Sequence, residues 1–121
     1  MSTPSLPRSR LEVDDEGDIA IVTFTDRKIL DEQNIEKIGE DLFSLVSDYG
    51  KKKILLNFAN VEYLSSACLG KFITLNKMVE NAGGKLVMCS IEPDILETFE
   101  MTRLDRLFNI QSDLPGGISA F

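Results

Sequence analysis

Two adjacent serines, Ser65 and Ser66, lie in the stretch YLSSACLGKF, between an apolar run and the first residues of an apolar helical repeat. A serine hydroxyl can act as a nucleophile, cap a helix or carry a modification. The first role needs a base, and the chain contains no histidine, so a Ser–His pair is ruled out. The two cysteines, Cys68 and Cys89, both lie in apolar segments and read as small buried hydrophobes rather than a disulfide or a metal pair. No C-x-x-C occurs, and a zinc site without histidine would need carboxylates and isolated thiols. Acid pairs such as Asp14-Asp15 and Glu40-Asp41 read as solvated faces rather than general acid/base pairs. Neither G-x-x-x-x-G-K-[ST] nor G-x-G-x-x-G is present, so no phosphate-cradling loop is read. The expectation is a binding or regulatory module, not an enzyme, with no catalytic residue, no metal and no cofactor.

Two roles remain for the serines. One of them should cap the helix that follows, accepting from a free backbone N–H, an interaction worth about 1 kcal/mol. Which one does so is not readable from the sequence. The turn from a buried strand into a helix is usually exposed, and a helix N-terminus favours negative charge. A phosphate on such a serine would be accepted locally while adding roughly −1.5 to −2 charge to the adjoining surface. One hydroxyl could therefore be both cap and switch.

The elements that must position this turn follow from periodicity. LEVDDEG (11–17) and DIAIVTFT (18–25) read as two short strands joined by an acidic turn at Asp14 to Gly17. From Asp31, an expected N-cap, Ile35, Ile38, Leu42, Leu45 and Val46 recur at helical spacing, and Gly50 is a suitable stop. Lys53 to Phe58 reads as a strand buried on both faces, entered through the solvated lysines Lys51 to Lys53. Helical spacing returns from Cys68 to Ala82 and ends in NAGGK. LVMCS is a second buried strand, Pro93 opens a third helix, and Arg106 to Ile110 is a short last strand. The order β-β-α-β-α-β-α-β predicts an α/β domain with a mixed sheet of four to five strands and helices covering mainly one face. The domain is expected over residues 11–111, after a flexible Pro- and Ser-rich arm (1–10) and before a C-terminal tail (112–121) marked by Pro115, Gly116 and Gly117.

The formal net charge of −7, from 20 acidic and 13 basic residues, argues against binding phosphate backbones or anionic membranes. With no secretory signal read and no apolar run near a membrane span, the expected location is the cytoplasm.

The run from ILLNFANVEYLSSACLGKF through AGGKLVMC to FEMTRLDRLFNI resembles the STAS family, named for sulfate transporters and anti-sigma factor antagonists. The resemblance spans about Leu11 to Ile110 and is greatest to the stand-alone bacterial antagonists. The family pattern is a strand, an Asp-Ser-[Ser/Thr]-Gly-[Leu/Val]-Gly turn, a helix, then GG-x-L and a strand. Here the turn is Ser65 to Gly70, followed by Gly83, Gly84, Lys85 and Leu86. Ser65 stands where the family usually has Asp, Ala67 where it has Ser or Thr, and Cys68 where it has Gly. The resemblance implies an antagonist that binds an anti-sigma factor and frees a sigma factor, switched off by phosphorylation. Ser66 matches the phosphorylated serine, with Ser65 as the alternative hydroxyl. Asp31, Ser65, Ser66, Leu69 and Gly70 match positions at the partner surface. The implied partners are an anti-sigma factor that is also a serine kinase of the histidine-kinase-like ATPase type, a serine phosphatase, and as a further candidate a second copy of the chain. ATP and its metal would belong to the kinase. Two alternatives go with the resemblance: a scaffold or sensor-complex subunit that is never phosphorylated, and a module that binds a small anionic ligand at the same helix start.

Overall fold

The computed structural model describes residues 11–121, so the expected N-terminal arm lies outside the described residues. Strands β1 (Leu11–Glu16) and β2 (Ile19–Phe24) form an antiparallel hairpin that turns at Gly17 with φ +65°, a conformation glycine adopts without cost. Then come β3 (Lys28–Ile29), α1 (Glu32–Ser47), β4 (Lys53–Asn57), β5 (Tyr63–Leu64), α2 (Ser66–Asn81), β6 (Lys85–Cys89), α3 (Pro93–Met101), a single 3-10 turn (Leu104–Arg106), β7 (Asn109–Gln111) and α4 (Leu114–Ser119). The main sheet has the order β1-β2-β4-β6-β7. Among the described residues its only antiparallel pair is the opening hairpin; β2, β4, β6 and β7 run parallel.

Alternation along the strands sends side chains to two faces. Val22, Phe24, Ile54, Leu56, Leu86 and Met88 join the large core under α1, α2 and α3. Ile19, Ile21, Leu55, Val87 and Cys89 form a smaller cluster on the reverse face. The three long helices therefore cover one side, as the periodicity predicts. The edge strand β1 carries Glu12, Asp14, Asp15 and Glu16, charges that discourage pairing with a foreign strand.

Packing does not stop at residue 111, and this corrects the expected C-terminal tail. Leu114, Ile118, Ala120 and Phe121 lie on the reverse-face cluster. Asp113 caps α4, its Oδ1 accepting from the Gly116 N–H at 2.8 Å. Gly117 is buried because a β-carbon there would come 2.7 Å from Leu55 Cδ1. The glycines that read as breakers allow the helix to approach the sheet.

Parallel strands followed by returning helices gather the helix starts at one end of the sheet. Asp31, Ser65 and Glu92 cap α1, α2 and α3 there. At the opposite end β4 and β6 begin side by side. Lys85 N–H donates to the Lys52 carbonyl at 2.7 Å, and a β-carbon on Gly84 would sit 2.0 Å from that oxygen.

Candidate functional site

The site is built from a two-residue ladder. Strand β3 pairs in parallel with β5, Lys28 opposite Tyr63 and Ile29 opposite Leu64. The Arg27 carbonyl accepts from the N–H groups of Glu62 and Tyr63 at 2.8 and 3.0 Å. The Ser65 N–H closes the ladder by donating to the Ile29 carbonyl at 2.9 Å. Each short strand runs almost directly into a helix, so the starts of α1 and α2 are held side by side. Above the ladder, Arg27 Nε and Nη2 donate to the two Glu62 carboxylate oxygens at 3.1 and 2.9 Å, a bidentate pair that keeps the Glu62 carboxyl below its ordinary pKa. Lys28 Nζ lies 5.4 Å from the Tyr63 ring centroid, within cation–π range.

The two serines divide the roles between them. Ser65 is the N-cap: it has extended backbone, φ −74° and ψ 145°, and its Oγ accepts from the Ala67 N–H at 3.2 Å. It is half-buried. Ser66 is the first helical residue and is exposed. None of the hydrogen bonds among the described residues involves its hydroxyl. Ser65→Ala should therefore cost about 1 kcal/mol by chemical denaturation, the value of a lost N-cap, whereas Ser66→Ala should stay within about 0.5 kcal/mol of the native protein.

Asp31 is exposed and caps α1, its Oδ2 accepting from the Asn34 N–H at 3.1 Å. Gly70 is exposed, and a β-carbon there would meet nothing within 4 Å. No crowding demands that glycine, which costs about 1 kcal/mol of helix propensity relative to alanine. With Ala67 and Thr74 it keeps a shallow furrow of about 330 Å³ open toward α1, where Lys71 Nζ and Glu36 Oε2 pair at 2.9 Å. Leu69 differs from the other expected residues. It is 6% exposed and belongs to the core, showing only its edge to the surface. Cys68, between the exposed positions, is buried; burial pushes its thiol pKa up to about 12, so it is not a reactive thiolate.

The structure thus brings Ser65, Ser66, Gly70 and Asp31 to one surface. It adds two residues that the sequence reading did not single out, Leu30 and Tyr63, exposed by 54% and 53%. Large apolar residues beside cap positions were the available signal.

A larger hollow of about 500 Å³ lies at the far end of the sheet, among Lys51, Lys52, Lys53 and Lys85. It follows the C-termini of α1 and α2, where cations offset the helix dipoles. Lys51 pairs with Asp15 at 3.1 Å and Lys53 with Asp18 at 2.9 Å. Those lysines already have structural work. Among the described residues, no group of three or more His, Cys, Asp or Glu side chains could hold a metal ion, and no helix is long and apolar enough to cross a membrane.

The family model described as STAS domain matches residues 10–116. The chain is 26% identical over 93 residues to a Bordetella bronchiseptica protein provisionally named as the anti-sigma factor antagonist BtrV, covering 77% of this chain and 79% of that one. Among solved structures it resembles an anti-sigma-factor antagonist (STAS) domain protein of Planctomyces limnophilus, with TM-score 0.83, 18% identity, and coverage of 93% and 97%. It also resembles the phosphorylated form of the Bacillus cell fate determinant SpoIIAA, with TM-score 0.65, 14% identity, and coverage of 84% and 91%. At these identities the structural likenesses speak to the fold alone.

Proposed function

This chain belongs to the STAS domain family, and from that premise we propose that it is an anti-sigma factor antagonist whose contact with its partner is broken by a phosphate on Ser66. The observation that carries the proposal is the division of labour at the start of α2. Ser65 holds the cap, so the Ser66 hydroxyl is free to be modified without loosening the helix. The naming of BtrV supports the partner class. The existence of SpoIIAA in a phosphorylated form supports the kind of modification.

In the unmodified state the surface of Ser66, Gly70 and Asp31 docks on the anti-sigma factor, and the sigma factor is released. The anti-sigma factor, acting as a kinase, transfers the γ-phosphoryl group of its own ATP to Ser66 Oγ: the new O–P bond forms as the bond to the bridging oxygen of ADP breaks, ADP leaves, and the hydroxyl proton passes to a kinase base. The product adds roughly −1.5 to −2 charge at a helix start, where free N–H groups and the dipole tolerate it. The fold survives and the partner contact does not. A serine phosphatase restores the hydroxyl. In this scheme the chain is a substrate and a ligand, not a catalyst.

The test is to incubate the full chain with each anti-sigma kinase of the same genome and Mg-ATP, and to locate any phosphate by mass spectrometry. One phosphate is expected on Ser66, absent from Ser66→Ala and retained in Ser65→Ala. A phosphate on Ser65, or tight partner binding with none transferred, would overturn the Ser66 switch. The second outcome would favour a scaffold role for the same surface.

A further inference from the structure

The main sheet has two edges, and they are built differently. Strand β1 carries Glu12, Asp14, Asp15 and Glu16 along one of them. The other is β7, whose residues Asn109, Ile110 and Gln111 carry no charge. It ends the strand order, and among the described residues no strand pairs with its outer side. A strand sends alternate N–H and C=O groups to either side, so those facing outward are open to another chain. Charged side chains deter such pairing. One edge of this sheet has that protection and the other lacks it.

The surroundings of β7 suit its own copy. A hollow of about 280 Å³ beside it is lined by Ile91, Leu96, Ile110, Gln111 and Ser112, and Ile91 and Ile110 pack against the helix-side core. Consider an antiparallel pair of β7 strands related by a two-fold axis at Ile110. The two Ile110 side chains are then directly opposed on one face, so each copy brings an isoleucine to the hollow of the other. Asn109 and Gln111 alternate to the opposite face, where Gln111 Nε2 donates to Asn109 Oδ1 at 2.6 Å. Across the axis Asn109 meets Gln111 of the second copy, amide to amide.

The charges agree with this direction. Arg106 lies just before the strand and Asp113 just after it. Antiparallel pairing carries each arginine to the end where the aspartate of the other copy lies. Arg106 is exposed and joins no ion pair among the described residues. Asp113 caps α4 through Oδ1, which leaves Oδ2 for a cation. From Arg103 to Ser112 there are two arginines and one aspartate, whereas the whole chain carries −7, so repulsion between two copies is relaxed at this edge.

We propose that β7 is an association edge, pairing antiparallel with β7 of a second copy of this chain and joining two five-stranded sheets into one. Three residues make a short ladder, so the dimer is weak and concentration-dependent rather than obligate. The helix starts gather at one end of each sheet, and antiparallel pairing points those ends in opposite directions. Both copies keep the Ser66 surface open, and one assembly presents it twice.

Sedimentation of the full chain from micromolar to millimolar concentration should show a shift from one chain toward two. Ile110→Cys should give a disulfide-linked dimer under oxidised glutathione, because opposed residues of antiparallel strands lie about 4.5–5.5 Å apart at Cα, within disulfide reach. The native chain, whose two cysteines are buried, and Glu12→Cys on the acidic edge should not. Arg106→Glu should weaken the dimer several-fold with the melting temperature unchanged. Ser66→Asp should leave the dimer as it is. A chain that stays single at millimolar concentration, a dimer indifferent to Arg106→Glu, or Glu12→Cys linking as readily as Ile110→Cys overturns the proposal. Loss of the dimer in Ser66→Asp would place the contact elsewhere and overturns it as well. Failure to bind any anti-sigma factor would reject the functional reading and leave the dimer result untouched.

Discussion

Phe72→Ala is expected to destabilise the protein by about 3–5 kcal/mol, the range for removing a buried aromatic ring. Phe72 is fully buried in α2. Its ring meets Phe58 edge-on, with centroids 5.5 Å apart, and lies 6.0 Å from Phe24, while Phe24 and Phe58 are 4.9 Å apart. The three rings come from β2, from the loop after β4 and from α2, so they pin the helix to the sheet just below the Ser66 turn. Loss of one leaves a cavity that the other two cannot fill without leaving their rotamers. Small domains are stable by only about 5–15 kcal/mol, so the variant forfeits a large share of the total. Urea denaturation should show the lowered midpoint with an unchanged slope. A loss below about 1 kcal/mol would mean that the rings repack freely, and that the anchor of α2 lies elsewhere.

Ser66→Asp should move stability and binding in opposite directions. A carboxylate in the first turn of α2 interacts favourably with the helix dipole, by about 0.3–1 kcal/mol, and α2 has no acidic residue of its own there. The melting temperature should hold or rise slightly. Affinity for the anti-sigma factor should fall tenfold or more, about 1.4 kcal/mol, because the charge is placed against a docked surface. Calorimetric titration beside thermal melts reads both effects. Retained affinity would reject the charge switch, and a drop in both quantities would point to damage rather than signalling.

Much of this architecture is legible in the order of residues because its elements are long and periodic. Ile35, Ile38, Leu42 and Leu45 mark the buried stripe of α1 at a spacing that only a helix satisfies, and all four are buried. The predicted cap Asp31 does cap that helix, and Pro93 opens α3. The ladder of β3 and β5 is not legible in the sequence because two residues cannot display a period. Its existence depends on residues 35 apart in the chain meeting across a turn. The last helix is not legible because Pro115, Gly116 and Gly117 read locally as breakers, whereas the value of Gly117 is tertiary: without a β-carbon it fits against Leu55 and Cys89. At the site, residue type pointed to the serine pair. The assignment of cap to one and free hydroxyl to the other rests on the extended backbone of Ser65, which no local composition encodes. Leu69 shows the converse limit, since its place in the motif said nothing of how deeply its side chain is buried.

The short closing helix has a practical corollary. A version of this protein trimmed after β7 would lay bare the strip formed by Ile19, Ile21, Leu55, Val87 and Cys89, an oily stripe with a thiol at its margin. Such a product should clump and oxidise on storage while the ladder of β3 and β5 and the start of α2 stay in place. No tag or fusion junction should therefore interrupt α4.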